Sequence, residues 1–164
     1  MTNGQTSYTR NADTAVAGMP IDSQEGVVKK SYVNPNGVIV FGTFMARVAG
    51  TGRSVQAPTT LADDIVAVAE RYLAQEEANS YPINSNPAGI VRGPVWMRVE
   101  QDVTPDDAVF CDCTGATPGY ARKDAGIVGQ AAAIAAEVPN ARFDGPSITG
   151  RDGIKIAPVY LNLN

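Results

Sequence analysis

Pro94-Val95-Trp96-Met97-Arg98-Val99-Glu100 is the stretch that decides the fold class. Val95, Met97 and Val99 alternate with Trp96, Arg98 and Glu100. A repeat of two marks a half-buried β-strand, because successive side chains point to opposite faces. Downstream, Thr104-Pro105-Asp106-Asp107 turns the chain into residues 108–113, where Val109, Cys111 and Cys113 share a face, and residues 114–119 turn it again. Upstream, a β-type run at 27–33 ends in Asn34-Pro35-Asn36-Gly37, a strong turn signal. Runs at 38–41 and 43–49 follow and close on Gly50-Thr51-Gly52-Arg53, while residues 81–89, rich in proline and asparagine, read as a loop.

Near the C-terminus, Ile154 and Ile156 have one parity and Val159, Leu161 and Leu163 the other. This predicts a bulge at Ala157-Pro158 on an edge strand, where proline costs no ladder bond. Residues 65–69 leave strand and short helix open. So do residues 127–138, where Ile127, Val128, Ala131, Ile134, Ala135 and Val138 have helical spacing but also suit a strand of small residues. Short strands with turns at intervals of about 8–12 residues predict a mainly β fold, a small β-barrel or β-sandwich of jelly-roll or tulip-like form.

Length and composition agree with one such domain. The chain has 164 residues, 44% hydrophobic and 18% charged, with 16 Gly and 11 Pro to supply turns. Residues 1–26 differ from the rest. Their large apolar groups are Tyr8, Val16, Met19 and Ile21, spaced without periodicity among polar residues, Gly18 and Pro20. Such a segment buries too little surface to offset its own ordering entropy. It is expected to be an extended arm ordered against something else, leaving 27–164 as a single β-rich domain.

Several function classes are disfavoured. Thirteen Lys and Arg against 17 Asp and Glu give a net charge of −4, and Lys29-Lys30 is the nearest approach to a basic cluster. Gripping nucleic-acid phosphates calls for a basic stripe, so no direct nucleic-acid partner is expected. No histidine occurs, which removes the commonest general base and metal ligand. Cys111 and Cys113 are poorly placed for a mutual disulfide and lack a second ligand pair for zinc, so they read as buried thiols of a reducing compartment. No apolar run reaches membrane-spanning length, and no secretory signal is visible at the N-terminus; a soluble protein made in a cytoplasm is expected.

The remaining candidates for chemistry have plain alternatives. Asp63-Asp64, Glu76-Glu77 and Asp106-Asp107 lack the alternating ligands of a calcium loop and read as solvated turns. Gly50-Thr51-Gly52-Arg53 and residues 115–119 match no phosphate-binding spacing. Trp96, with Arg98 and Tyr120, would suit a stacking surface for sugars or bases, but a lone Trp more often fills a core or a subunit interface, which is the reading adopted. No catalytic residue, metal site or cofactor is expected.

From end to end the chain resembles the Gp24-like structural cement proteins of tailed phages. The resemblance starts in the arm, from Tyr8-Thr9-Arg10-Asn11 to Ala17-Gly18-Met19-Pro20-Ile21-Asp22, and continues at Val38-Ile39-Val40-Phe41-Gly42. Ile90-Val91-Arg92-Gly93-Pro94-Val95-Trp96-Met97-Arg98-Val99 is similar to the family's Trp-containing strand, and residues 103–109 to the turn after it, with Asp106-Asp107 where Gly-Asp is usual. Val138-Pro139-Asn140-Ala141-Arg142-Phe143 and residues 154–163 complete it. Order and spacing carry the likeness, from about Tyr8 to Leu163.

The resemblance implies a protein that is no enzyme and decorates the outer surface of a mature capsid in the virion. Its partners would be the major capsid protein and itself, as a homo-oligomer, dimer or trimer. It would be made in the host bacterial cytoplasm. Tyr8, Val16, Met19 and Ile21 then become the expected capsid or neighbour contacts. The rival readings are another virion structural or glycan-binding β-module, which would want several exposed aromatics on one face, and a small enzyme using carboxylates alone, which would want a deep cleft between them.

Overall fold

The computed structural model describes residues 15–21, 26–72, 78–126, 129 and 131–163. Twelve strands occur among them: β1 (Val28–Ser31), β2 (Ile39–Val40), β3 (Phe44–Arg47), β4 (Val55–Gln56), β5 (Ile65–Ala69), β6 (Ser80–Tyr81), β7 (Ala88–Arg98), β8 (Ala108–Asp112), β9 (Ala121–Arg122), β10 (Ala135–Phe143), β11 (Ile148–Thr149) and β12 (Lys155–Asn162). Ten of these form one sheet in the order β4-β3-β5-β7-β12-β10-β8-β9, with β1 on β7 and β11 on β12; β2 and β6 form a separate pair. The large sheet curls into a half-barrel, so the expected mainly β class holds. The named pairings are antiparallel, as short turns between strands require.

β7 is the hub. It pairs with β1 and β5 through its first residues and with β12 from Arg92 to Arg98. The alternation in the sequence gave only its second half. The strand starts at Ala88, inside the stretch expected to be a loop, and β6 takes Ser80 and Tyr81 from the same region. Gly93 sits mid-strand at φ +104°, and a Cβ there would come within 2.9 Å of Val27. Sequence reasoning takes Gly-Pro as a boundary; here it lets one strand continue past a close neighbour.

A second correction concerns β12. Its register with β7 runs unbroken from Ile156↔Arg98 to Asn162↔Arg92, and β10 and β11 also pair with it. It is an interior strand without a bulge at Ala157-Pro158. Pro158 fits because Trp96, opposite it on β7, directs its own backbone groups to a different partner. The Pro158 carbonyl accepts from Asp144 N at 2.8 Å, so its nitrogen faces the junction of β10 and β11 rather than β7.

The two open segments both contain strand: β5 at 65–69, and β10 from Ala135 onward, with Ala131 and Ile134 in irregular chain before it. Ile127 and Val128 lie outside the described residues. β10 carries a bulge between Glu137 and Arg142 in its pairing with β8, which interrupts any clean period of two.

The interior comprises three apolar clusters, two of them within the body. Val95 and Met97 of β7, Val99 just beyond it, and Ala157, Val159 and Leu161 of β12 enter the main core, with Phe44, Phe143 and both cysteines. A second cluster gathers Ile39, Phe41, Met45, Val66 and Tyr81. Phe41 and Tyr81 meet edge-on there, ring centres 5.0 Å apart.

Candidate functional site: the docked N-terminal strap

Residues 15–21 fall within the segment expected to be an extended arm ordered against something else, and what they lie against is the body of the same chain. Gly18 N donates to Trp96 O at 2.7 Å, Trp96 N donates to Met19 O at 3.0 Å, and Ile21 N donates to Pro94 O at 3.1 Å. Pro20 bridges Val95 in antiparallel fashion. At the other end Arg151 N donates to Ala15 O at 3.0 Å. The segment is a strap hydrogen-bonded to β7, and it covers the face of that strand that Val95 and Met97 leave behind.

Under the strap, Ala15, Ala17, Trp96 and Ile156 form a third buried cluster, with Met19, Ile21, Ile148 and Ile154 packed at its edge. This explains the parity of Ile156, which serves the strap cluster while its neighbours Ala157 and Val159 serve the main core. β7 is therefore buried on both faces rather than half-buried. The candidate contacts separate accordingly. Val16 is 4% exposed, Met19 and Ile21 are half-buried, and Trp96 is 6% exposed. Tyr8 and the rest of 1–14 lie outside the described residues.

The strap is seated at one close crossing. Gly18 has φ +83° and Gly42 φ +73°; a Cβ on Gly42 would come within 2.6 Å of both Ala17 Cβ and Gly18 N. Arg71 N donates to Gly18 O, Gly42 N to Ala69 O, and Arg98 N to Gly42 O, each at 2.9 Å. Two distant pieces of sequence, Ala17-Gly18-Met19 and Phe41-Gly42, thus meet back to back.

Nearby polar groups are committed to structure. Arg98, 5% exposed, donates from Nε to Phe41 O at 2.9 Å, and its guanidinium carbon lies 5.9 Å from the centre of the Tyr120 ring. With Trp96 under the strap, these three residues form no open stacking platform. Asp112, fully buried, was not singled out from the sequence. Its carboxylate accepts from Gly115 N at 2.7 Å and from Thr117 N at 3.3 Å, organising the turn after β8. The run Asp-x-x-Gly across 112–115 was the available signal, an Asp folding back on its own turn.

Asp63 and Asp107 cap turns in the same way, accepting from Thr59 N at 2.6 Å and from Thr104 N at 2.8 Å. Burial pushes the Asp63 carboxyl upward, but hydrogen bonds from Thr59 and Thr60 outweigh it and hold the group below the usual range. Glu76-Glu77 lies outside the described residues. A surface groove of 200 Å³ does run past Asp63, Asp64 and Glu137. It falls below the ~300 Å³ at which ligand pockets begin, and Asp64 is paired with Arg47 at 3.1 Å. Among the described residues no group of His, Cys, Asp or Glu is arranged to hold a metal ion. Both cysteines are buried and unbridged. Burial pushes the Cys111 thiol well up, while its hydrogen bond brings Cys113 down.

A curled β half-barrel, strapped by its own N-terminal segment and spending its buried polar groups on turns, defines a β-rich structural module. The family model of structural cement proteins (E217 gp24/Pam3 gp6) matches residues 4–162, and the chain belongs to that family. Among solved structures it is similar to a chain from the capsid of Myoviridae Phage XM1, with 21% identity, a TM-score of 0.71, and 91% of each chain covered. No curated protein matches it. The protein is thus a phage structural cement protein, associated with the capsid and located in the virion. Family membership implies a structural role rather than catalysis.

Proposed function

We propose that the protein binds the outer surface of the mature head and bridges neighbouring major capsid protein subunits, acting as a homo-oligomer, dimer or trimer. The observation that carries this reading is the family match from residue 4 to residue 162, which takes in the strap, the half-barrel and residues ahead of the strap. Ala15 is tied to Arg151 and Gly18 to Trp96, so the strap holds a fixed place on the body. Tyr8, with the half-buried Met19 and Ile21, then supplies apolar contacts to the capsid or to a neighbouring copy, and Val16 contributes by seating the strap. An extended segment adding to a partner's sheet gains backbone hydrogen bonds with little demand on sequence. An oligomer touching several subunits multiplies weak contacts into a stable bridge. An acidic surface of net charge −4 keeps the protein from adhering to nucleic acid, and synthesis in the host cytoplasm fits its reduced thiols.

The test is co-sedimentation with decoration-free, expanded capsids, comparing the full chain, a chain lacking 1–14, and Met19→Ser/Ile21→Ser. Saturable binding by the full chain that weakens in both variants is expected. A folded full chain that stays in the supernatant would overturn the reading.

A further inference from the structure

No charged residue occurs from Ser31 to Ala46, or from Ala78 to Val91, in a chain of which 18% is charged. The fold brings parts of these two uncharged stretches together. β2 pairs with β6 through Ile39↔Tyr81, and Asn34 bridges Ser85. Asn34 is fully buried and pins both loops: Nδ2 donates to Gly37 O at 2.6 Å and Pro82 O at 3.0 Å, its N–H donates to Ser85 O at 3.0 Å, and its carbonyl accepts from Asn84 N at 2.7 Å. On this frame Val33 is 44% exposed, Val38 58% and Ile83 52%, three of the six large exposed hydrophobic residues among those described. Pro82 is exposed beside Ile83. Asn36, Asn84 and Asn86 are exposed in the same loops, and Arg53, whose carbonyl accepts from Val33 N, is a charged neighbour.

We propose that this patch on the paired loops, carrying Val33, Val38, Pro82 and Ile83, is the surface through which the folded body docks on an uncharged, apolar face of the capsid shell protein. The inference rests on the capsid-binding role proposed above and adds a contact separate from the strap. Contact surfaces are depleted of charge at their centres and polar at their rims. A rigid frame loses little conformational freedom on docking, and Asn34 provides one. Area selects the occupant. Four partly exposed side chains offer on the order of a few hundred Å², well short of the roughly 800 Å² per partner of a stable pair in solution. Such a patch holds no second copy by itself, but it serves a partner that is arrayed and engaged at several points together, as a capsid shell is. A charged face would lose its hydration against Val38 and Ile83 with nothing to pair it.

The test uses the full chain carrying Val38→Ser/Ile83→Ser, substitutions at exposed positions, with Leu61→Ser as an exposed apolar control and equal urea midpoints as proof of folding. Affinity for decoration-free, expanded capsids should fall about tenfold in the double variant. It should stay unchanged in the control, and the loss should persist at about 0.5 M salt, where charge contacts are screened. Wild-type binding with an unaffected double variant would overturn this inference and leave the cement reading standing. A double variant that keeps its capsid affinity but loses self-association by sedimentation velocity would reassign the surface to a second copy. Absence of binding by the wild-type chain would overturn both.

Discussion

Gly42 and Gly18 show how much of this fold hangs on single backbone positions. Both have φ in the left-handed region, and their backs are too close for a side chain on either. Gly42→Ala adds a methyl that meets Ala17 Cβ and Gly18 N at 2.6 Å, so strain and displacement of the strap combine; a loss of about 2–4 kcal/mol of unfolding free energy, measured by urea titration, is expected. Gly37→Ala is the control. Its φ is +90° but nothing lies within 4 Å, so backbone strain alone, about 1–2 kcal/mol, should be lost. Equal losses in the two variants would show that the close crossing contributes nothing. The sequence marked Gly42 as the end of an apolar run and Gly18 as a gap in an arm. Their contact joins residues 24 positions apart in the numbering, and no local periodicity records it. Asp112 has the same character: it is buried between β9 and β10 and folded on by the turn at Gly115 and Thr117, which lies beyond the reach of a reading of residues 108–113.

Among the elements, β7 and β12 were legible in outline and misjudged in environment. Alternation correctly put Val95, Met97 and Val99 on one face, and the strand existed where it was expected. The strand was expected to be half-buried, whereas its second face, with Trp96 beside Ile156 of β12, is covered by alternate residues of the strap, Ala15, Ala17, Met19 and Ile21, of which two are too small to register as an apolar pattern. The parity change in β12 was real, and it reports two clusters on opposite faces rather than a bulge. The strap's role in burying Trp96 can be measured on the chain's only tryptophan. Removing residues 1–14 should leave its fluorescence and its acrylamide quenching unchanged. Removing 1–21 should shift emission to the red and raise quenching severalfold, as the indole gains water. Equal quenching in the two truncated chains would mean that the strap does not cover Trp96 in solution.

For the whole molecule, a cement protein acts by binding one state of a larger assembly, and linkage makes that a stability effect. Anything that binds the intact shell and not its separated subunits stabilises the shell in proportion to RT ln(1 + [L]/Kd) per site. Capsids saturated with this protein should therefore disrupt at a higher temperature than bare ones, with the gain rising with free protein concentration. Dye-accessible DNA on heating is a direct readout; disruption at the same temperature with and without protein would contradict a cementing action. By itself the sequence determined that the protein is mainly β, that its strands near 94–100 and 108–113 present the faces they do, and that order and spacing of its motifs resemble a phage cement family. These follow from local rules of turn chemistry and side-chain alternation, and from patterns written along the chain. Tertiary structure alone decided that residues 15–21 are a strap, that β12 is interior, and that the loops around Asn34 and Ser85 pair with each other. Each of those depends on which distant segment fills a given face or edge, a choice made by packing and hydrogen-bond closure across the fold rather than by any neighbour in sequence.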